Sequence, residues 1–213
     1  MSEAPDGGML DETAEHERLR SVYRRWAPVY DRLLGSVFRD ARRRSIAALA
    51  LLPTHDVVLV GVGTGLDLPL LPAVRRAVAL DFTPEMLVRA HKAPGADVRD
   101  LLLCDAQKMP LCDQSFDAAV LHLILAVAPD GAVVLRETCR VLRPGGRIAV
   151  FDKFASSDRV SPVRIAVNAV TRWSGTNINR RLESMLANLP LDVVGEETAI
   201  RGAYRLITLR KRA

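Results

Sequence analysis

Aromatic residues make up only 5% of this 213-residue chain, cysteines number three, and no apolar run approaches the ~18 residues a membrane-crossing helix needs. With so few aromatics there is no stacking platform, and no RNA-binding motif is present, so nucleic acid is not expected as a partner. Cys104, Cys112 and Cys139 lack C-x-x-C spacing and an even count. Neither a metal site nor a disulfide is therefore expected, and all three read as reduced thiols. The first residues, MSEAPDGGMLDETAEHE, are acidic and lack the basic-then-apolar order of a secretion signal, so the expected location is the cytoplasm. What is present is ordinary for a globular protein: 49% hydrophobic and 26% charged residues, enough for one domain with a substantial core.

Charge is unevenly spread under a net +5, because the first seventeen residues are acidic while residues 18–44 hold nine arginines. Residues 1–13, rich in Gly, Pro, Asp and Glu, read as disordered. A single domain follows over 14–213, with a helical cap at 14–52 and a basic, polar excursion at 153–190. In the cap, Val22, Tyr23, Trp26, Tyr30, Leu33, Leu34 and Val37 recur at helical steps, interrupted near Pro28. A second helix is expected from Phe38 to Leu52, stopped by Pro53. Short apolar strands then alternate with helices: strands at 57–60, 77–81, 98–103, 116–121 and 147–152, and helices at 67–73, 84–92 and 130–142. Arg143-Pro144-Gly145-Gly146 reads as the turn that stops the last helix and starts the next strand. The excursion predicts helices at 162–173 and 179–188. Two closing strands, 191–198 and 203–210, are joined by a turn short enough for an antiparallel hairpin. The pattern predicts an α/β fold, a Rossmann-like open sheet with helices on both faces, mostly parallel with a C-terminal antiparallel hairpin.

The densest signal is Val57-Val58-Leu59-Val60-Gly61-Val62-Gly63-Thr64-Gly65, with Asp81 twenty residues after Gly61. A β-branched strand breaking into a glycine turn presents backbone to a nucleotide-like ligand, and an acidic residue at the next strand's end suits two ribose hydroxyls. Leu66 occupies the place of the third glycine of the dinucleotide fingerprint, so the pattern is G-x-G-x-G. That form suits a ligand with an uncharged or zwitterionic arm beside its ribose, such as S-adenosylmethionine (SAM). Other nucleotides and a purely structural turn are the alternatives at this point.

Over most of residues 20–213 the chain resembles the class I SAM-dependent methyltransferases, through VLVGVGTGLDLPLL, LDFTPEMLVRA, LLLCDAQKMPLCDQSFDAAV and RETCRVLRPGGRIAVFDKF in that order. Tyr30-Asp31 within RRWAPVYDRLLG makes it similar to the branch of ubiquinone/menaquinone C-methyltransferases and bacterial phosphatidylethanolamine N-methyltransferases. The resemblance implies cofactor contacts from Gly61, Gly63, Thr64, Gly65 and Asp81, with Phe82 and Met86 lining the adenine pocket. It also implies that Asp105-Ala106 meets the adenine amino group; a helix N-cap is the plainer role for Asp105. The family's usual acidic residue two positions before the first glycine is Leu59 here; Asp67 is the candidate to face the methionine amino group instead, and the backbone carbonyls of the glycine loop are the alternative.

Methyl transfer is an in-line displacement that needs alignment and exclusion of water rather than a metal or strong acid. Leu121 and His122, ending the fourth strand, are expected at the methyl group, with His122 orienting or deprotonating a substrate and Tyr30 closing over the site. A packed histidine is the plainer reading of AVLHLILAV. Arg39, Arg42, Arg43 and Arg44, and Arg159, Arg164, Arg172, Arg180 and Arg181, are interleaved with Trp26, Phe38, Ile165 and Trp173. That mixture suits peripheral contact with an anionic membrane surface, whereas the plain alternative is arginines on solvated helix faces. The resulting expectation is a SAM-dependent methyltransferase acting on a small or lipophilic acceptor, a phospholipid amine or quinone precursor. Its rivals are a methyltransferase-like binding or regulatory protein and a nicotinamide-dependent oxidoreductase, the latter opposed by the missing third glycine.

Overall fold

A computed structural model describes residues 38–93, 100–154, 182–200 and 202–213. Its first element is helix α1, residues 38–47. Phe38, Ala41, Arg42, Ser45 and Ile46 are its buried positions, continued by Leu49 just past its end, a spacing of three and four that turns one stripe inward. The helix stops short of the expected Leu52. Its last turn tightens, Leu49 N–H bonding to Ile46 C=O and Ala50 N–H to Ala47 C=O, and Ala50 then adopts φ +50°. A left-handed residue ends a helix as effectively as the proline three positions on.

Strand β1 (Asp56–Val60) is buried along its whole length. Its alternation divides the core: Val57 and Leu59 join Ile46 and Leu49 on the α1 side, while Val58 and Val60 join Val134, Leu135 and Cys139 on the other. β2 (Arg76–Asp81), helix α2 (Pro84–His91), β3 (Asp100–Leu103), β4 (Phe116–His122), helix α3 (Gly131–Val141), β5 (Leu142–Asp152), helix α4 (Leu182–Leu186), β6 (Leu191–Ala199) and β7 (Tyr204–Lys211) follow. Asp130 caps α3, its carboxylate accepting from Ala132 N–H and Val133 N–H. The seven strands are ordered β3-β2-β1-β4-β5-β7-β6. The first five are parallel; β7 pairs antiparallel with β6, as the closing hairpin predicts, and joins the sheet by pairing antiparallel with β5.

Three expectations need correction. The helix at 67–73 is only a 3-10 turn, Leu68–Leu70. Pro72 forces the residue before it out of the helical region, and Leu71 is extended at ψ 131°. Arg143–Gly146 does not precede the fifth strand but lies inside it. Between β4 and β5 the pairing steps from Phe116↔Leu142 to Ala118↔Arg147, so the extra residues of β5 bulge outward. Gly146 is required there, because a Cβ would stand 2.9 Å from Arg143 C=O and 3.1 Å from Asp117 C=O. Asp105 caps no helix; its carboxylate accepts Gln107 N–H at 2.8 Å in a local turn. The expected helix at 162–173 lies outside the described residues, as do 179–181 of that at 179–188, whose described helical part is the shorter α4, Leu182–Leu186.

Candidate active site at the carboxyl edge

Parallel pairing brings the ends of β1, β2, β3 and β4 to one edge, and this is where the glycine run, Asp81, Asp105 and His122 stand. Gly61, Gly63 and Gly65 all have positive φ, at 69°, 56° and 86°. That sequence of left-handed residues turns the chain sharply off β1, and Val62 N–H ties the turn to Leu80 C=O of β2 at 2.9 Å. Ile124, from the loop after β4, lies over Gly61 so closely that a Cβ would meet its Cδ1 at 2.7 Å. At Gly63 a Cβ would meet nothing within 4 Å. Open space therefore adjoins the loop backbone, as a backbone-held ligand requires.

Asp81 is fixed from two sides, Oδ2 accepting Gly63 N–H at 2.8 Å and Oδ1 accepting Thr83 N–H at 2.9 Å. Desolvation raises its carboxyl above the usual value, opposed by those N–H donors. Each oxygen keeps a lone pair for a further donor, so the residue fits a ribose diol. Phe82 is half-buried beside it, while Met86 is buried within α2. Ala106 and Leu121 pack into the α3-side core. Strand alternation sends His122 to the opposite face from Leu121, so the two do not converge as expected. Thr64 is half-buried within the glycine turn. Tyr30 lies outside the described residues, as do Trp26, Ile165, Trp173 and the arginines at 159, 164, 172, 180 and 181.

Asp67 and His122, expected separately, are brought into contact by the fold. Asp67 Oδ1 lies 2.7 Å from His122 Nδ1, Asp67 Oδ2 accepts from Arg42 Nη1 at 2.6 Å, and His122 Nε2 lies 3.0 Å from Ser45 Oγ. Arg42, Ser45, Asp67 and His122 are 6%, 4%, 4% and 5% exposed, so the whole network is buried. An ionised Asp67 can only accept, so His122 Nδ1–H donates to it, while the Ser45 hydroxyl can donate to or accept from Nε2. Burial opposes ionisation of Asp67, but His122 and Arg42 outweigh it and hold the carboxyl well below the usual range. The imidazole stands edge-on to Phe151, with 5.7 Å between ring centroids.

Sequence reasoning missed Arg42 and Ser45 as site residues. The available signal was positional: an arginine and a serine on the apolar stripe of α1 must find partners inside. Asp152 was missed as well. Its buried carboxylate accepts Lys153 N–H at 2.7 Å and Ala126 N–H at 3.0 Å, pinning the loop that carries Ile124. Desolvation pushes its pKa up to about 6 despite these bonds.

Elsewhere, a cleft of about 320 Å³ lies at the opposite, amino edge, beside His55 and Pro144. Arg143 there is already paired with Asp56 and Asp117, which makes this a structural junction of strand starts. On the surface of α1, Arg43 and Arg44 both pair with Asp40, and Arg44 also with Glu197, leaving Arg39 as the arginine of that group without an ion pair among the described residues. Among the described residues no group of three His, Cys, Asp or Glu side chains could hold a metal ion, and no helix is long and apolar enough to cross a membrane.

A family model described as a methyltransferase domain matches residues 58–150. The chain is 32% identical over 207 residues to a phosphatidylethanolamine N-methyltransferase of Cereibacter sphaeroides, covering 93% of this chain and 100% of that protein. It is also 32% identical over 151 residues to a ubiquinone/menaquinone biosynthesis C-methyltransferase of Geobacter sp. (strain M21), covering 64% of this chain and 63% of that one. Among solved structures, a SAM-dependent methyltransferase of Thermotoga maritima superposes with a TM-score of 0.68 at 20% identity, over 90% of this chain and 99% of that one. A geranyl diphosphate C-methyltransferase of Streptomyces coelicolor A3(2), solved with S-adenosyl-L-homocysteine, does so at 0.65 and 16% identity, over 81% and 76%.

Proposed function

We propose that this chain, which belongs to the SAM-dependent methyltransferase family, transfers the methyl group to the amine of a phospholipid headgroup. One observation carries the choice of acceptor: the phosphatidylethanolamine N-methyltransferase relative is matched over its entire length, whereas the quinone-pathway relative is matched over 63% of its own.

SAM, when bound, supplies an electrophilic methyl group on a sulfonium. The glycine loop Gly61–Gly65, including Thr64, would hold its amino-acid arm and ribose with backbone, Asp81 would hold the ribose hydroxyls, and Phe82, Met86, Asp105 and Ala106 would border the adenine. His122 and Leu121 end the strand nearest the transfer. In this reading His122 would orient the acceptor, its ring fixed by Asp67 at Nδ1 and Ser45 at Nε2. Ile124 over Gly61, on the loop that Asp152 pins, would close one side of the space beside the glycine turn and help exclude water once the cofactor fills it. The acceptor would enter between the helical cap at 14–52, with Tyr30 closing over it, and the segment at 153–190. Their basic and apolar residues would meet the membrane surface where such an acceptor resides, with the protein otherwise cytoplasmic.

The test is radiolabel transfer from methyl-labelled SAM to phosphatidylethanolamine vesicles, run beside demethylmenaquinone. Label in monomethylated lipid is the expected result. Label in the quinone alone overturns the choice of acceptor, and SAM binding without transfer to any acceptor favours the binding-protein reading.

A further inference from the structure

Arg42 presents an anomaly inside the buried network. Among the described residues its Nε is the buried side-chain nitrogen without a hydrogen-bond partner. A buried donor left unmade is costly, so such an atom in a native protein calls for an explanation, of which a functional partner is one. The rest of the side chain is well fixed, with Nη1 on Asp67 at 2.6 Å and the guanidinium 6.0 Å from the Phe151 ring centroid. Asp67 stands two residues past Gly65, so the anomaly lies beside the proposed cofactor loop rather than elsewhere in the core.

We infer that Arg42 is a binding residue for the carboxylate of the cofactor's amino-acid arm, and that the Arg42–Asp67 pair matches the arm's zwitterion. Three observations converge on this assignment, which rests on the SAM reading above. The orphaned Nε–H is a charge-assisted donor, the kind that oxyanions take up. Asp67 is held ionised beside it, and its oxygens retain lone pairs beyond those given to Arg42 and His122, so an ammonium finds an acceptor next to the cation that holds its carboxylate. Leu59, where a carboxylate would otherwise stand, is apolar and 1% exposed, so it contributes no polar group to the arm. The cation thus comes from α1, which precedes the glycine motif, and the arm joins α1 to the loop.

The experiment is calorimetric titration of the full chain with S-adenosylhomocysteine and with 5′-methylthioadenosine, the same nucleoside without the amino-acid arm. Arg42→Gln is expected to weaken S-adenosylhomocysteine about 10- to 100-fold, the scale of one lost charge-assisted bond, and to change methylthioadenosine less than about threefold. Arg42→Lys keeps the charge opposite Asp67 but has no Nε–H donor of that geometry. It is expected to lose about tenfold on the first ligand only, and it serves if the glutamine variant does not fold. Equal weakening of both ligands would show a structural role and overturn the assignment. So would unchanged binding of S-adenosylhomocysteine with a raised KM for the acceptor, since the oxyanion would then belong to the acceptor. Failure of the wild-type chain to bind either nucleoside overturns the SAM reading and this assignment with it.

Discussion

Both faces of the sheet are buried along β1, but the two sides differ in what covers them. On the α3 side, Val58, Val60, Leu121, Val134 and Leu135 share one apolar cluster. On the α1 side an apolar cluster gives way, toward the carboxyl edge, to Arg42, Ser45, Asp67 and His122. Apolar packing is non-directional and tolerates rearrangement, whereas a buried ion pair holds only in one geometry and carries a desolvation cost that apolar residues avoid. The α3 side therefore reads as the foundation of the domain. The α1 side carries a costlier core, and the proposed role of Arg42 and Asp67 beside the glycine loop would account for it.

Breaking the network should give the largest effect. Asp67→Asn leaves the Arg42 cation buried without a counter-charge and is expected to cost about 4 kcal/mol in urea unfolding. The paired change Arg42→Met with Asp67→Leu should restore most of that stability while abolishing tight S-adenosylhomocysteine binding. Recovery of both would show that the charges serve packing alone. The matching cut on the other face, Leu135→Ala at a fully buried site, is expected to cost about 3 kcal/mol while leaving the affinity of the folded protein for S-adenosylhomocysteine within a factor of about two. An affinity loss as large as that of Arg42→Gln would erase the distinction between the faces.

A pH series sharpens the contrast. Asp152 has its pKa pushed up to about 6 from an ordinary 3.8, so the folded state binds its proton more tightly than the unfolded chain does. The stability it contributes is full below pH 4 and is lost as pH rises through 6, on the order of 3 kcal/mol in all. Asp67 has the opposite sign. Its depressed pKa contributes stability that is present above the ordinary carboxylate range and lost on acidification below it. Unfolding measured from pH 4 to 7 should therefore show a downward slope in the wild type that flattens in Asp152→Asn; an unchanged slope would assign it to another group. The smallest effect is expected at the cap of α3. Asp130→Ala removes the acceptor for Ala132 N–H and Val133 N–H and should cost about 1 kcal/mol without changing ligand affinity.

Much of this arrangement was legible before the fold. The strand alternation, the glycine turn and Asp81 carry their own local signals, since β-branched runs and left-handed glycines act over a few residues. The errors came where local and neighbouring signals conflict. LPLLP has the apolar spacing of a helix, yet Pro72 stops it, and RPGG looks like a turn although the strand runs through it as a bulge. Leu121 and His122 are adjacent in sequence and were expected together, but a pleated strand sends neighbours to opposite faces.

The chain itself determined that a parallel sheet would end in a nucleotide-suited turn, because strand, turn and helix propensities are written in windows of a few residues. Only the tertiary structure decided that Asp67, twenty-five residues after Arg42 and fifty-five before His122, would be held between them. Such a pairing depends on where α1 lies across the sheet and on which face each strand residue takes. The placement follows from burying every apolar stripe at once, a property of the whole fold that no short window contains.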